Sequence, residues 1–276
     1  MQAAADICFI GAGNMTGALV AGLIGRGQPA GTIRVGSPGE ARRQALAGRH
    51  GVVTGADNTR MADGAGVLVL SVKPALVSTV ARELAPLVQA QRPLVISVAA
   101  GVRCRDLLRW LACDAALVRA MPNTPSAIGL GASALYASPA VDAGRRQTAS
   151  DILGAVGLVE WVRDESLIDV VTGISGSGPA YVFLLLEALI AAGVDAGLSD
   201  AGARRLAART VLGAAGMVEQ GDAAPADLRA AVTSPGGTTE QAIRTLQSGG
   251  FAALVGDAVA AARQRAAELG ERFGAE

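Results

Sequence analysis

The chain has 276 residues, 51% of them apolar and 3% aromatic, and its 24 basic and 24 acidic side chains cancel to zero net charge. That length allows one large or two medium domains with a sizeable core. The charge balance excludes a nucleic-acid or anionic-membrane partner reached through bulk electrostatics. The three cysteines, Cys8, Cys104 and Cys113, show no metal-like spacing, and the single histidine, His50, closes an Arg/Gly-rich stretch. Neither a zinc centre nor a histidine-based triad is expected from such a set, and no metal ligand is assigned. The first residues lack the basic start of a secretory signal. The longest apolar run, 181–192, is interrupted by Glu187 and reads as a buried helix rather than a membrane span. A reduced, cytoplasmic setting is expected.

In chain order, 7–10 is a short apolar run followed by glycines and a helical pattern over 16–26. Further strands are expected at 33–35, just after His50, and at 67–71, 94–98, 115–120, 132–136 and 158–161. Helices are expected at 75–89 and 139–154. The runs 67–71 and 94–98 are apolar without alternation, as in strands covered on both faces. Strand and helix alternating at this spacing predict βαβ units and a mostly parallel sheet, the doubly wound α/β class. After Asp164 only helical patterns follow, at 164–171, 178–193, 199–220, 226–233, 238–248 and 251–272, with glycines as stops. The expected division is therefore an α/β dinucleotide-binding domain over 1–162 and an all-helical domain over 163–276, with no low-complexity linker between them.

The glycine loop after the first run reads Ile10-Gly11-Ala12-Gly13-Asn14-Met15-Thr16, between a strand and a helix. That is the setting of the dinucleotide fingerprint: Gly11 for the tight turn, Gly13 for close approach of a pyrophosphate, the helix start for its charge. The third position is Thr16, where glycine or alanine is usual. The second strand ends at Ser37 with Arg42 and Arg43 just beyond, and carries no acid for a ribose hydroxyl, so NADPH is favoured over NADH. Lys73, the only lysine, lies in Ser71-Val72-Lys73-Pro74 at another strand end. Ala99 and Ala100 follow the next strand, where small residues allow a flat ring to approach the backbone. Asn123 and Thr124, in Met121-Pro122-Asn123-Thr124-Pro125, offer an amide and a hydroxyl to a ligand.

In the helical half, 172–180 (TGISGSGPA) and 233–240 (TSPGGTTE) put small residues at helix starts, where free amides suit an anion. With no basic cluster beside them, they suggest a small carboxylate rather than a polyphosphate. The strings FIGAGNM, SVKP, SVAAGV, MPNTP, SGSGPAY and SPGGTT, in this order, resemble the pyrroline-5-carboxylate reductase family over nearly the whole chain.

The resemblance implies NAD(P)H-dependent reduction of the cyclic imine 1-pyrroline-5-carboxylate to proline. It implies a Rossmann-type domain followed by a helical domain that interlocks with that of a second subunit, giving homodimers and, in the family, decamers of five dimers. By position it implies cofactor contacts at Ile10 to Met15, Ser37, Asn58, Ser71 to Pro74, Ala99 and Ala100. The substrate carboxylate would lie on Ser234, Gly236, Gly237, Thr238 and Thr239. Imine chemistry calls for a hydrogen bond to the ring nitrogen, for which the Thr239 hydroxyl is the expected partner and a water the alternative. Departures from the family pattern are Thr16 for an alanine and Ala75 for a polar residue. Two other readings fit the sequence less well. A β-hydroxyacid dehydrogenase would use a lysine of the second domain, and there is none; a non-catalytic NAD(P)-binding protein would not need SPGGTT.

Overall fold

The structure, a computed structural model, describes residues 6–275; residues 1–5 and 276, the outer ends of the two expected domains, lie outside the described residues. It divides into two compact units. One runs through Ser177 and takes back the chain from Ala260; the other is Gly178–Val259.

The first unit is built on an eight-stranded sheet. Its strands are β1 (Ile7–Ile10), β2 (Ile33–Gly36), β3 (Val53–Gly55), β4 (Val67–Leu70), β5 (Leu94–Ser97), β6 (Leu117–Met121), β7 (Gly131–Ala137) and β8 (Gly157–Trp161). They lie in the order β3-β2-β1-β4-β5-β6-β7-β8. All neighbours are parallel except β6 and β7, where Val118 pairs with Ala137 and Met121 with Ala134. The segment from Pro122 to Leu130 is too short for a crossover helix, so β7 returns antiparallel.

Helices cover both faces: α1 (Asn14–Gly25), α2 (Glu40–His50), α3 (Asn58–Ala62), α4 (Val77–Gln91), α5 (Cys104–Leu111) and α6 (Ala143–Gly154). Every residue of β1, β4 and β5 is buried, which is why those strands lack alternation. One core holds Leu68, Leu70, Leu84, Leu107, Trp110 and Phe273; the other holds Phe9, Leu19, Val69, Ile96, Val118 and Ile152. The helix α5 has no counterpart in the expected elements. It is short, and its buried Cys104, Leu107, Trp110 and Leu111 are separated by arginines that stay at the surface.

The compact units divide at 177–178 rather than at 162–163. The helix α7 (Leu167–Val171) and a π-turn (Thr172–Gly176) belong with the first unit. Arg119 of β6, 2% exposed, holds them through Glu165 at 3.0 Å and Asp169 at 3.1 Å, and Glu165 also accepts the Cys104 amide at 2.7 Å. The chain end returns for a similar reason: Leu269 and Phe273 pack beside Gly101, and Arg103 pairs with Glu271.

The remaining helices are α8 (Gly178–Asp195), α9 (Asp200–Gln220), α10 (Pro225–Ala231), α11 (Thr238–Ser248) and α12 (Phe251–Gly274), the last of which ends in the first unit. Ser199 caps α9 by accepting the Gly202 amide. The expectation of a buried helix at 181–192 is not met in the single chain. No residue of α8 is buried, and Phe183 is 57% and Leu184 67% exposed.

Candidate active site

The strand order 3-2-1-4 reverses its direction of growth between β1 and β4, and ligands of such sheets bind at the carboxyl ends there. The expected cofactor residues gather on that edge. Ile10 ends β1, Gly13 caps α1, and Asn14 and Met15 form its first turn. Ser37 follows β2, Asn58 opens α3, Ser71 to Lys73 follow β4 with Pro74 opening a 3-10 turn, and Ala99 and Ala100 follow β5.

Gly11 cannot be replaced without cost. Its φ is +107°, and a Cβ there would lie 2.3 Å from the Ser71 carbonyl oxygen. The chain is held close on both sides, because the Gly11 amide donates to the Gly36 carbonyl at 2.7 Å and the Ser71 amide to the Ile10 carbonyl at 2.8 Å. No side chain caps α1 at Gly13, so its first-turn amides are left for an anion.

Thr16, the departure from the fingerprint, is fully buried, and its hydroxyl donates to the Gly11 carbonyl at 2.7 Å. In a planar trans peptide the carbonyl and the next amide point opposite ways. By holding the Gly11 carbonyl toward α1, Thr16 turns the Ala12 N–H away from the helix. The substitution thus adds a lock on the turn.

Two further observations fit a dinucleotide on these residues. The Asn58 side-chain oxygen is buried without a partner, while its amide reaches only Glu83 at 3.4 Å. Gly36 lies against it, and a Cβ there would come within 3.1 Å of that oxygen. At the end of β2, Ser37 is 9% exposed, and Arg43 folds back to donate to the Ser37 carbonyl, which leaves Arg42 as the exposed guanidinium. Lys73 is also exposed.

His50 ends α2, where partial burial and the Arg49 charge hold its pKa below the ordinary histidine value. Among the described residues no group of histidine, cysteine and acidic side chains could hold a metal ion.

The second loop is described within its own unit. Gly236 has φ +72° and Gly237 caps α11 without a side-chain bond. The Gly237 amide donates to the Ser234 carbonyl at 3.0 Å, and the Glu240 carboxylate accepts the Gly236 amide at 2.7 Å. Those contacts close the turn and leave the first-turn amides of Thr238 and Thr239 for a ligand. Ser234, Gly236 and Thr238 are exposed; Thr239 is half-buried.

The expectation that Asn123 offers its amide to a ligand is not met. It is 9% exposed, and both ends of its amide are bonded within the protein, to Ala132 and Ser175. That pairing spans residues far apart in sequence, so no local pattern could have shown it.

Fold and loop together define a dinucleotide-binding protein of the doubly wound class, the class of many nicotinamide-dependent oxidoreductases. Comparison with known proteins narrows this. A family model described as pyrroline-5-carboxylate reductase dimerisation matches residues 165–269, and one described as NADP oxidoreductase, coenzyme F420-dependent, matches 6–101. The pyrroline-5-carboxylate reductase of Pseudomonas aeruginosa is 47% identical over 97% of this chain and 98% of its own length. The solved structure of the Coxiella burnetii reductase superposes with a TM-score of 0.92 at 43% identity, over 96% of this chain and 98% of that one. That of the Plasmodium falciparum enzyme, which has NADP bound, gives 0.86 at 28% identity over the same shares. The chain belongs to the pyrroline-5-carboxylate reductase family.

Proposed function

We propose that NADPH is the hydride donor, that Gly11 to Met15 carry its pyrophosphate, and that the loop from Ser234 to Thr239 carries the substrate carboxylate. The activity itself follows from the family: the chain is a pyrroline-5-carboxylate reductase and acts in proline biosynthesis. The residue assignment rests on one feature shared by the two loops. Both end in a helix start without a side-chain cap, at Gly13 and Gly237, where amides suit an anion.

Bound NADPH supplies a hydride to the imine carbon, while the ring nitrogen gains a proton, giving the secondary amine. The chain's own part is orientation. The amides of Thr238 and Thr239 hold the carboxylate, the turn at Gly236 and Gly237 aims them, and the Thr239 hydroxyl hydrogen-bonds the ring nitrogen. The proton comes from solvent, so the reaction needs no side chain with a strongly shifted pKa. Asn58, Ser71 to Pro74, Ala99 and Ala100 complete the cofactor contacts, and Ser37 with Arg42 favours the 2′-phosphate over a free ribose hydroxyl.

Following NADPH absorbance with pyrroline-5-carboxylate tests the whole reading. The wild-type kcat/KM should favour NADPH over NADH by about ten-fold, the worth of one charge-assisted contact. A ratio favouring NADH would overturn the roles of Ser37 and Arg42. Thr239→Ala should lower kcat/KM by about ten-fold or more with an unchanged melting temperature. An unchanged kcat/KM would remove Thr239 from the mechanism.

The dimerisation family matched over 165–269 makes the chain a homodimer. Assembly of five dimers into a decamer is the finer proposal, tested by the mass in light scattering. Leu167–Asp195 is long and apolar enough to cross a membrane, yet it falls inside the stretch matched to dimerisation. We place the enzyme in the cytoplasm, with the apolar face of that helix covered by the second subunit.

A further inference from the structure

Two stretches single themselves out in the sequence without entering the mechanism, 121–125 (MPNTP) and 172–180 (TGISGSGPA). In the structure they meet. The helix α7 widens at its end into the π-turn Thr172–Gly176, closed by an i to i+5 bond from the Ser177 amide to the Thr172 carbonyl at 2.8 Å. A helix that ran on regularly would bond the Ser175 carbonyl to the amide four residues later. That residue is Pro179, which has no N–H. Asn123 supplies the donor: its side-chain NH2 bonds the Ser175 carbonyl at 3.0 Å. The oxygen of the same amide accepts the Ala132 N–H at 2.9 Å, next to the first residue of β7. The π-turn is also seated on the end of β6, since a Cβ on Gly176 would lie 2.6 Å from the Met121 methyl. Met121 ends β6 on the carboxyl edge of the sheet, the edge that carries the cofactor loop.

We infer that Asn123 is a positioning residue for hydride transfer: it replaces the N–H that Pro179 lacks and thereby fixes the π-turn against the carboxyl end of β6. Its amide reads two groups of opposite demand, one acceptor and one donor, and meets both without titrating. A half-buried carbonyl left without its donor would let the turn shift against the carboxyl end of β6, and a small misplacement on that edge costs rate. The inference rests on the reductase reading, which wild-type turnover tests separately.

Asn123→Asp keeps the acceptor toward Ala132 but sets a carboxylate oxygen against the Ser175 carbonyl. Protonating it restores the donor, and burial favours that protonation. Above neutral pH its kcat should fall about ten-fold or more, with KM for both reactants within about three-fold of wild type. Its kcat relative to wild type should then rise as the pH is lowered. Asn123→Ala should lose as much and recover nothing with pH. A ratio for Asn123→Asp that is flat with pH overturns the inference, as does kcat within about two-fold of wild type in both variants. Recovery of the melting temperature at low pH without recovery of kcat would make Asn123 purely structural and overturn it as well. Should Asn123→Ala yield no soluble protein, the pH series of Asn123→Asp decides alone.

Discussion

The two compact units solve the problem of burial in opposite ways. The first encloses a core on each face of its sheet, with Phe9, Leu68, Leu70 and Ile96 fully buried. In the second, Gly178–Val259, Ala203 is the one hydrophobic residue that the chain buries by itself, while Leu206 is 61% and Leu254 65% exposed. Exposed apolar surface of that extent on a helical unit calls for a partner, and the dimerisation family matched over this region identifies it as a second copy. One unit is therefore stable through its own topology, and the other through association. The proposed cofactor loop belongs to the first kind of region and the proposed carboxylate loop to the second.

The largest expected effect breaks that contrast from the helical side. Burying a phenylalanine side chain is worth ~1.5–3 kcal/mol, and a two-fold symmetric contact counts it twice. Phe183→Asp should raise the dimer dissociation constant by on the order of a hundred- to ten-thousand-fold. Sedimentation would follow the dimer, and cofactor fluorescence should show NADPH still bound by the first unit. A dimer unchanged at micromolar concentration would remove Phe183 from the interface.

A smaller effect should be confined to the first unit. Thr16→Val keeps the buried shape but removes the donor to the Gly11 carbonyl; NADPH should bind about ten-fold more weakly, with the dimer intact. Thr16→Ser should bind within about two-fold of wild type. Equal losses in both would show that packing rather than the hydroxyl holds the loop.

The smallest effect reads the core itself. Burial pushes the Cys8 thiol up to about 12 from 9.0, so above pH 9 the unfolded chain binds fewer protons than the folded one. Stability from this group is complete below pH 9 and falls as the pH rises toward 12. Replacing Cys8 with alanine should flatten the decline of the melting temperature over that range. An identical decline in the variant would mean that Cys8 is not the group responsible.

Much of the first unit was legible because its signals are local. Gly11 needs a positive φ, β1 is apolar throughout, and α1 follows at once; neighbours along the chain carry all three. The second glycine loop was legible for the same reason, through Gly236, Gly237 and the helix that follows. The short α5 was missed because arginines divide its apolar face. The compact units part at 177–178 because Arg119 reaches Glu165 and Asp169 across some fifty positions of sequence, whereas the dimerisation match begins at residue 165, beside the expected boundary.

The sequence by itself determined the alternation of strand and helix, the two glycine turns and the missing N–H of Pro179, since backbone freedom and periodicity are properties of adjacent residues. Only the tertiary structure decided that β7 runs antiparallel, that Asn123 is turned inward to the Ser175 carbonyl, that Thr16 locks Gly11, and that α8 lies bare in the single chain. Those outcomes depend on which distant groups compete for one hydrogen bond or one apolar face, and that competition is settled only when the chain has closed on itself.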